Sequence, residues 1–238
     1  TAGTSPQEID SGAVILTGEA IKKVNAAAID ELFAELAGKF VCATAGHELE
    51  ATLTAHGSGA VGYSKDPDIC VLHVDIGGGT TKLALIEAGT ILDVSAFAVG
   101  GRLIAADESG FIERVDDAAY LVAEDLGIPA TPESFADPEH QKRMAGRLAD
   151  VVIDQITGTP LDTLGTKLQL TPPLRRLAQP AAITFAGGVA EYIFKRQVKT
   201  FGDIAPLLAE ELRLRFKARL TVPVVDPGAG IRATVLGA

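Results

Sequence analysis

The chain has 238 residues, 47% of them hydrophobic, with a mean hydropathy of +0.25, which is enough apolar surface for a sizeable core and too much for a disordered segment. A formal net charge of -10 argues against a general affinity for nucleic acid or anionic membrane, and the lack of tryptophan with only 5% aromatics argues against a base-stacking surface. No apolar run approaches the roughly 20 residues that a membrane span requires, and no segment has the form of a signal peptide.

The opening residues, TAGTSPQEIDSG, read as a start within a longer protein. Residues 13–17 (AVILT) predict a strand, and apolar Ile29, Leu32, Phe33 and Leu36 predict a helix over 25–37 that Gly38 stops. A further strand is expected at 40–44. LEATLTAHGSGAVGYS (49–64) reads as a small-residue helix running into a Gly/Ser turn. SKDP (64–67) is a turn-rich joint that divides residues 1–65 from 66–238. Cys42 and Cys70 sit in apolar contexts without metal-ligand spacing, as reduced, buried thiols of a cytoplasmic protein would.

The next stretch, VLHVDIGGGTTKLALIEAG (71–89), carries the chemistry. A short β-branched strand enters three glycines, and a second strand-like run leaves them. The glycines therefore turn a β-hairpin rather than open a helix, and GTILDVSAFAVGG (89–101) continues as a third strand. Helices are expected at 115–126 and 137–156, the latter with Asp137 as N-cap and Pro138 in its first turn. Residues 158–180, with Pro160, Pro172, Pro173 and Pro180, read as irregular or at most loosely helical. Then come a strand and glycine pair (AAITFAGG, 181–188), a helix from 189 to about 197, a helix over 202–215, a short strand in LTVPVV (220–225) and the start of a last helix at 231. This order is an α/β layout, a mixed sheet with helices on both faces.

A turn of Gly77, Gly78 and Gly79 exposes successive backbone N–H groups with no Cβ in the way, a concave array that binds anions. Thr80 and Thr81 would add hydroxyls at the same mouth. Asp75 would repel a bare phosphate, and it makes sense beside one if Mg²⁺ lies between them. Gly187 and Gly188 would let a nucleoside approach the backbone, although ordinary strand-to-helix turns use glycine in the same way.

DIGGGTT in a hairpin, VGGRL (99–103) and FAGGVA (185–190) together resemble the actin, heat-shock-chaperone and sugar-kinase ATPase superfamily, whose lobes have a ribonuclease H-like α/β fold. The first motif looks like its second phosphate loop and the last like its adenosine loop. LEATLTAHGSGA looks like its first connecting helix, which puts Glu50 on the glutamate near the attacking water. A solvated carboxylate at a helix start is the equal alternative. Within the superfamily SGAVILTGEAIKKVNA, GSGAVGYS, VGGRLI, TFAGGVAEYI, FGDIAPLL and IRATVLGA resemble the ethanolamine-utilisation protein A family. That resemblance implies an ATP/ADP- and Mg²⁺-dependent chaperone acting on ethanolamine ammonia-lyase, an adenosylcobalamin enzyme, to release damaged cobalamin. It implies a cytoplasmic location, free or associated with a bacterial microcompartment. A sugar or carboxylate kinase and an actin-like scaffold are the rival readings.

The superfamily's first phosphate loop is missing, because Asp10, Ser11 and Gly12 do not follow an apolar strand. Residues 1–65 are thus expected to be the end of an incomplete first lobe and 66–238 the second lobe. ATPase activity is expected of the intact protein rather than of this stretch alone. Lys82 stands where asparagine or aspartate is more usual. HGSG (56–59) resembles a cobalamin-binding sequence but lacks its aspartate, since position 54 is threonine; His47, His73 and His140 are scattered. Arg213, Arg215, Lys217 and Arg219 read as a solvated basic face, with a docking strip as the alternative.

Overall fold

The computed structural model describes residues 12–17, 40–175, 178–228, 230 and 232–237. The helix expected over 25–37 and the segment Asp10–Ser11 lie outside them. β1 (Gly12–Thr17) pairs in parallel with β2 (Phe40–Ala45). Two helices, α1 (His47–Gly57) and α2 (Ala60–Lys65), occupy the region read as one helix and a turn. Gly59, at φ 89°, breaks the helical run, and the Ser58 hydroxyl restarts it by accepting the Ala60 N–H at 3.3 Å.

The hairpin follows as β3 (Cys70–Ile76) and β4 (Thr81–Glu87), antiparallel, with β5 (Thr90–Phe97) antiparallel to β4. A small hairpin, β6 (Ile104–Ala106) with β7 (Ile112–Val115), comes next and was not expected. α3 (Asp117–Leu126), α4 (Pro132–Ala136), α5 (Pro138–Thr157) and α6 (Thr163–Lys167) lead back to the sheet. There β8 (Ala182–Ala186) lies parallel to β3, α7 (Gly188–Ile193) and α8 (Ala205–Arg219) follow, and β9 (Val224–Val225) lies parallel to β8, before α9 (Ala233–Gly237). The sheet order is β5-β4-β3-β8-β9, a mixed sheet.

β3 is buried along its whole length because helices cover both faces. Leu72, Val74, Ile76, Leu83 and Leu85 point into the main core with Leu148 and Val152 of α5 and Leu208 and Leu212 of α8. On the opposite face Ala84 and Ile86 meet Ala55 of α1 and Ala60 of α2. Strand alternation then puts His73, Asp75 and Lys82 on the α1 face with Ala84. α9 packs on α1 through glycine: an added Cβ at Gly57 would overlap the Ala233 carbonyl, and one at Gly237 the Leu53 carbonyl.

α5 starts as its sequence dictates, with Asp137 Oδ1 accepting the N–H groups of Glu139 and His140. The basic strip on α8 is not a simple solvated face. Arg215 binds Asp150 and Glu211, Arg219 binds Asp154, and Arg213 donates to the Tyr192 carbonyl. These contacts tie α8 to α5 and α7. Among the described residues no helix is long and apolar enough to cross a membrane.

Candidate functional site

The glycine turn sits at the carboxyl end of β3, beside the carboxyl end of its parallel neighbour β8, where ligands of open α/β sheets bind. Gly77 N–H donates to the Thr80 carbonyl at 3.0 Å and closes the turn. The carbonyls of Gly77 and Gly78 accept N–H groups from Gly101 and Arg102, at 2.9 and 2.6 Å. Gly100 is required there, because a Cβ would overlap the Gly78 carbonyl. The segment VGGRL thus locks the turn from behind. Among the described residues the N–H groups of Gly78, Gly79 and Thr80 find no partner. They border a cleft of about 960 Å³.

Asp75, Glu50 and Lys82 line the same cleft, each nearly buried, at 5%, 5% and 4% exposure. Lys82 lies opposite Asp75 in the β3–β4 register, and its Nζ is 2.6 Å from Glu50 Oε1 on α1. Burial pushes the Asp75 carboxyl up to about 6, with the Lys82 ammonium pulling it back and Glu50 adding to the rise. Glu50 is therefore neither solvated nor alone: it is half of a buried ion pair.

Gly187 and Gly188 join the site from β8. Gly187 has φ 83°, and a Cβ on it would overlap the Ile76 carbonyl and lie 2.5 Å from Asp75 Oδ1. Gly188, the first residue of α7, has nothing within 4 Å of an added Cβ. Gly77, Gly78, Gly79, Thr80, Asp75, Glu50, Gly187 and Gly188 all border one cleft. Thr81 does not. Its side chain is fully buried, and its hydroxyl donates to the Val99 carbonyl at 2.7 Å, because alternation turns it away from the mouth.

Two features of the donor set suit a hydrated Mg²⁺. Among the described residues none donates a hydrogen bond to the Asp75 carboxylate, and Glu50 Oε2 is buried without a partner. Mg²⁺ is commonly held by one or two carboxylates, waters and phosphate oxygens rather than by an all-protein cage. No such cage of three or more acidic, histidine or cysteine side chains occurs among the described residues.

Sequence reasoning gave no role to three charged groups. Lys82 could have been placed opposite Asp75 by counting outward from the turn. Arg102 and Asp203 lie in VGGRLI and FGDIAPLL, whose local sequence carries no signal that the two side chains meet. They form an ion pair of 3.6 Å at the edge of the cleft. Burial raises the Asp203 carboxyl, partly offset by the Ala205 N–H and by Arg102.

A family model, "Ethanolamine utilisation protein EutA", matches residues 1–238. The chain is 35% identical over 239 residues to the ethanolamine ammonia-lyase reactivase EutA of Salmonella typhimurium strain LT2. It is 35% identical over 240 residues to that of Escherichia coli strain K12. Each match covers 100% of this chain and 51% of the relative, so the chain spans about half the length of the curated relatives it matches. Among solved structures, the Aquifex aeolicus PPX-GPPA enzyme aligns with a TM-score of 0.50 at 15% identity, over 94% of this chain and 73% of that one. That likeness concerns the fold alone, the α/β architecture of the actin-like ATPases, and agrees with the mixed, doubly covered sheet. With the family model matched from end to end, the chain belongs to the EutA family of ethanolamine utilisation proteins.

Proposed function

We propose that the cleft binds ATP and ADP, and that the intact protein uses this binding to reactivate ethanolamine ammonia-lyase by promoting release of damaged cobalamin. The observation that carries the reading is the convergence of the open amides at residues 78–80, Asp75 and Gly187 on one cleft at adjacent strand ends. In this reading the three amides hold the phosphates and the backbone at Gly187 and Gly188 receives the adenosine. Asp75 would hold Mg²⁺, which would supply countercharge to the phosphate oxygens. In this reading Glu50 accepts a hydrogen bond from the attacking water; its Oε2 is buried without a partner and its Oε1 is paired with Lys82, both of which support the role.

Residues 1–65 are read as the end of a first lobe and 66–238 as the second lobe. Closure of two lobes on a γ-phosphate would give the client a two-state partner. The 35% identity to two proteins named reactivases favours this function over a sugar or carboxylate kinase or a scaffold. The setting is cytoplasmic, free or at a microcompartment.

The test is recovery of ethanolamine ammonia-lyase loaded with an inactive cobalamin, given the intact protein, ATP, Mg²⁺ and fresh adenosylcobalamin. Recovery that requires ATP and fails in the Asp75→Ala variant supports the reading. Equal recovery without nucleotide, or undiminished recovery in the variant, refutes it.

A further inference from the structure

We propose that Arg102 is a binding residue for the phosphate chain, exchanging Asp203 for the ligand when a nucleoside diphosphate or triphosphate occupies the turn. The proposal rests on the nucleotide reading above and adds the side chain that supplies the countercharge.

The position of Arg102 is set by the turn itself. Its N–H donates to the Gly78 carbonyl at 2.6 Å, and its side-chain carbons lie 3.6–3.9 Å from where a Cβ on Gly78 would stand. The stem therefore runs beside the open amides, and the guanidinium, with 49% of the side chain exposed, reaches into the cleft.

Each other cation lining the cleft lies nearer to a carboxylate than Arg102 does, including Lys167, which is 3.3 Å from Glu124 in an exposed pair. Lys82 is held by Glu50 at 2.6 Å, and Arg114 lies side-on to Asp116 with both bonds at 2.7 Å. The Arg102–Asp203 pair is looser, at 3.6 Å, beyond hydrogen-bond range. Asp203 also keeps a second partner, the Ala205 N–H at 3.2 Å, so it is not orphaned when Arg102 leaves.

Charge supplies the need. Neutral amides orient a diphosphate, but the floor beneath them carries two carboxylates against one ammonium. A guanidinium offers two parallel N–H donors in the geometry a phosphate accepts. Arg102 is the loosely held one beside the turn.

The experiment is calorimetric titration of the protein with Mg²⁺-ADP, and separately with adenosine, for wild type, Arg102→Ala, Arg102→Lys and Asp203→Asn. Circular dichroism and melting temperature confirm the fold of each variant. Arg102→Ala is expected to weaken ADP binding about 10- to 100-fold, the usual range for loss of a charge-assisted contact, and to leave adenosine unchanged. Arg102→Lys is expected to recover part of the loss. Asp203→Asn removes the competitor and is expected to tighten ADP binding, which a purely structural ion pair would not do. Unchanged ADP affinity in folded Arg102→Ala, or parallel loss of ADP and adenosine, overturns the role of Arg102 while the nucleotide reading stands. Absence of ADP binding to the wild type overturns both.

Discussion

Lys82 Nζ lies 2.6 Å from Glu50 Oε1, and this buried pair fastens the hairpin that carries the glycine turn to helix α1. Breaking a buried pair by removing one partner strands the other charge, at a cost of about 3–5 kcal/mol, whereas replacing both with apolar residues is often close to neutral. Lys82→Met and Glu50→Leu are each expected to lower the free energy of unfolding by about that amount. The double variant Glu50→Leu/Lys82→Met should lose much less than the sum. Denaturant unfolding of the four proteins measures the coupling, and simple additivity would show that the pair contributes nothing specific.

The two glycines after β8 should differ sharply on substitution. Gly187→Ala forces a Cβ into the left-handed region and onto the Ile76 carbonyl and Asp75. The backbone strain alone costs about 1–3 kcal/mol, and the displaced Asp75 should disturb the site as well. Gly188→Ala meets open space at a helix start and should leave stability within about 0.5 kcal/mol. Thermal and chemical denaturation of both variants checks this contrast; equal effects would contradict the close approach of β3 and β8.

His73 should shape the acid limb of the stability curve. It is fully buried, with Nδ1 2.9 Å from the Thr184 hydroxyl and Nε2 without a partner, and burial lowers its pKa to about 3. The unfolded chain, with an ordinary imidazole near 6.5, binds more protons than the fold across that interval. Stability supplied by neutral His73 is therefore complete above about pH 6.5 and drains away toward pH 3. Asp75 works in the opposite direction, because its raised pKa makes the fold the better proton binder between 3.8 and about 6. The readout is thus the difference between wild type and His73→Gln. The variant should lose less stability than wild type between pH 6.5 and 4, and parallel curves would refute the assignment.

The neighbouring threonines separate structure from binding. Thr81 spends its hydroxyl on the Val99 carbonyl, so Thr81→Val should cost about 1 kcal/mol of stability and leave nucleotide affinity unchanged. If calorimetry finds ADP affinity lowered in a folded Thr81→Val protein, that hydroxyl has a second role.

Much of the frame was legible because it rests on local chemistry. The Asp137–Pro138 start of α5 follows from capping, and the β3–β4 hairpin follows from two apolar runs around three glycines. β6 and β7 were missed because strands of 3 and 4 residues carry too little periodicity, although the Asp107 turn between them, which takes the N–H groups of Ser109 and Phe111, was a usable signal. α4 had a similar cue in Thr131–Pro132, where the threonine hydroxyl accepts the Ser134 N–H. The partnership of Glu50 with Lys82 was out of reach for another reason. It depends on α1 packing over the hairpin, a tertiary fact that no local pattern encodes. The orientation of Thr81 needed only the alternation of β4, once the turn was known to end at Thr80.

The most direct test of the central claim, that the turn at residues 77–80 is a phosphate site, is calorimetric titration of Mg²⁺-ADP into wild type and Gly79→Val. An added Cβ at Gly79 meets only ordinary contacts, 3.4 Å to Asp116 and 3.8 Å to Arg114, and circular dichroism with melting temperature checks that the valine variant folds. Its side chain would cover the amides that the phosphates need. The account predicts ADP binding by the wild type, loss of at least about 10-fold in the variant, and equal adenosine binding by both. ADP binding that is the same in folded Gly79→Val, or absent from the wild type, would contradict it.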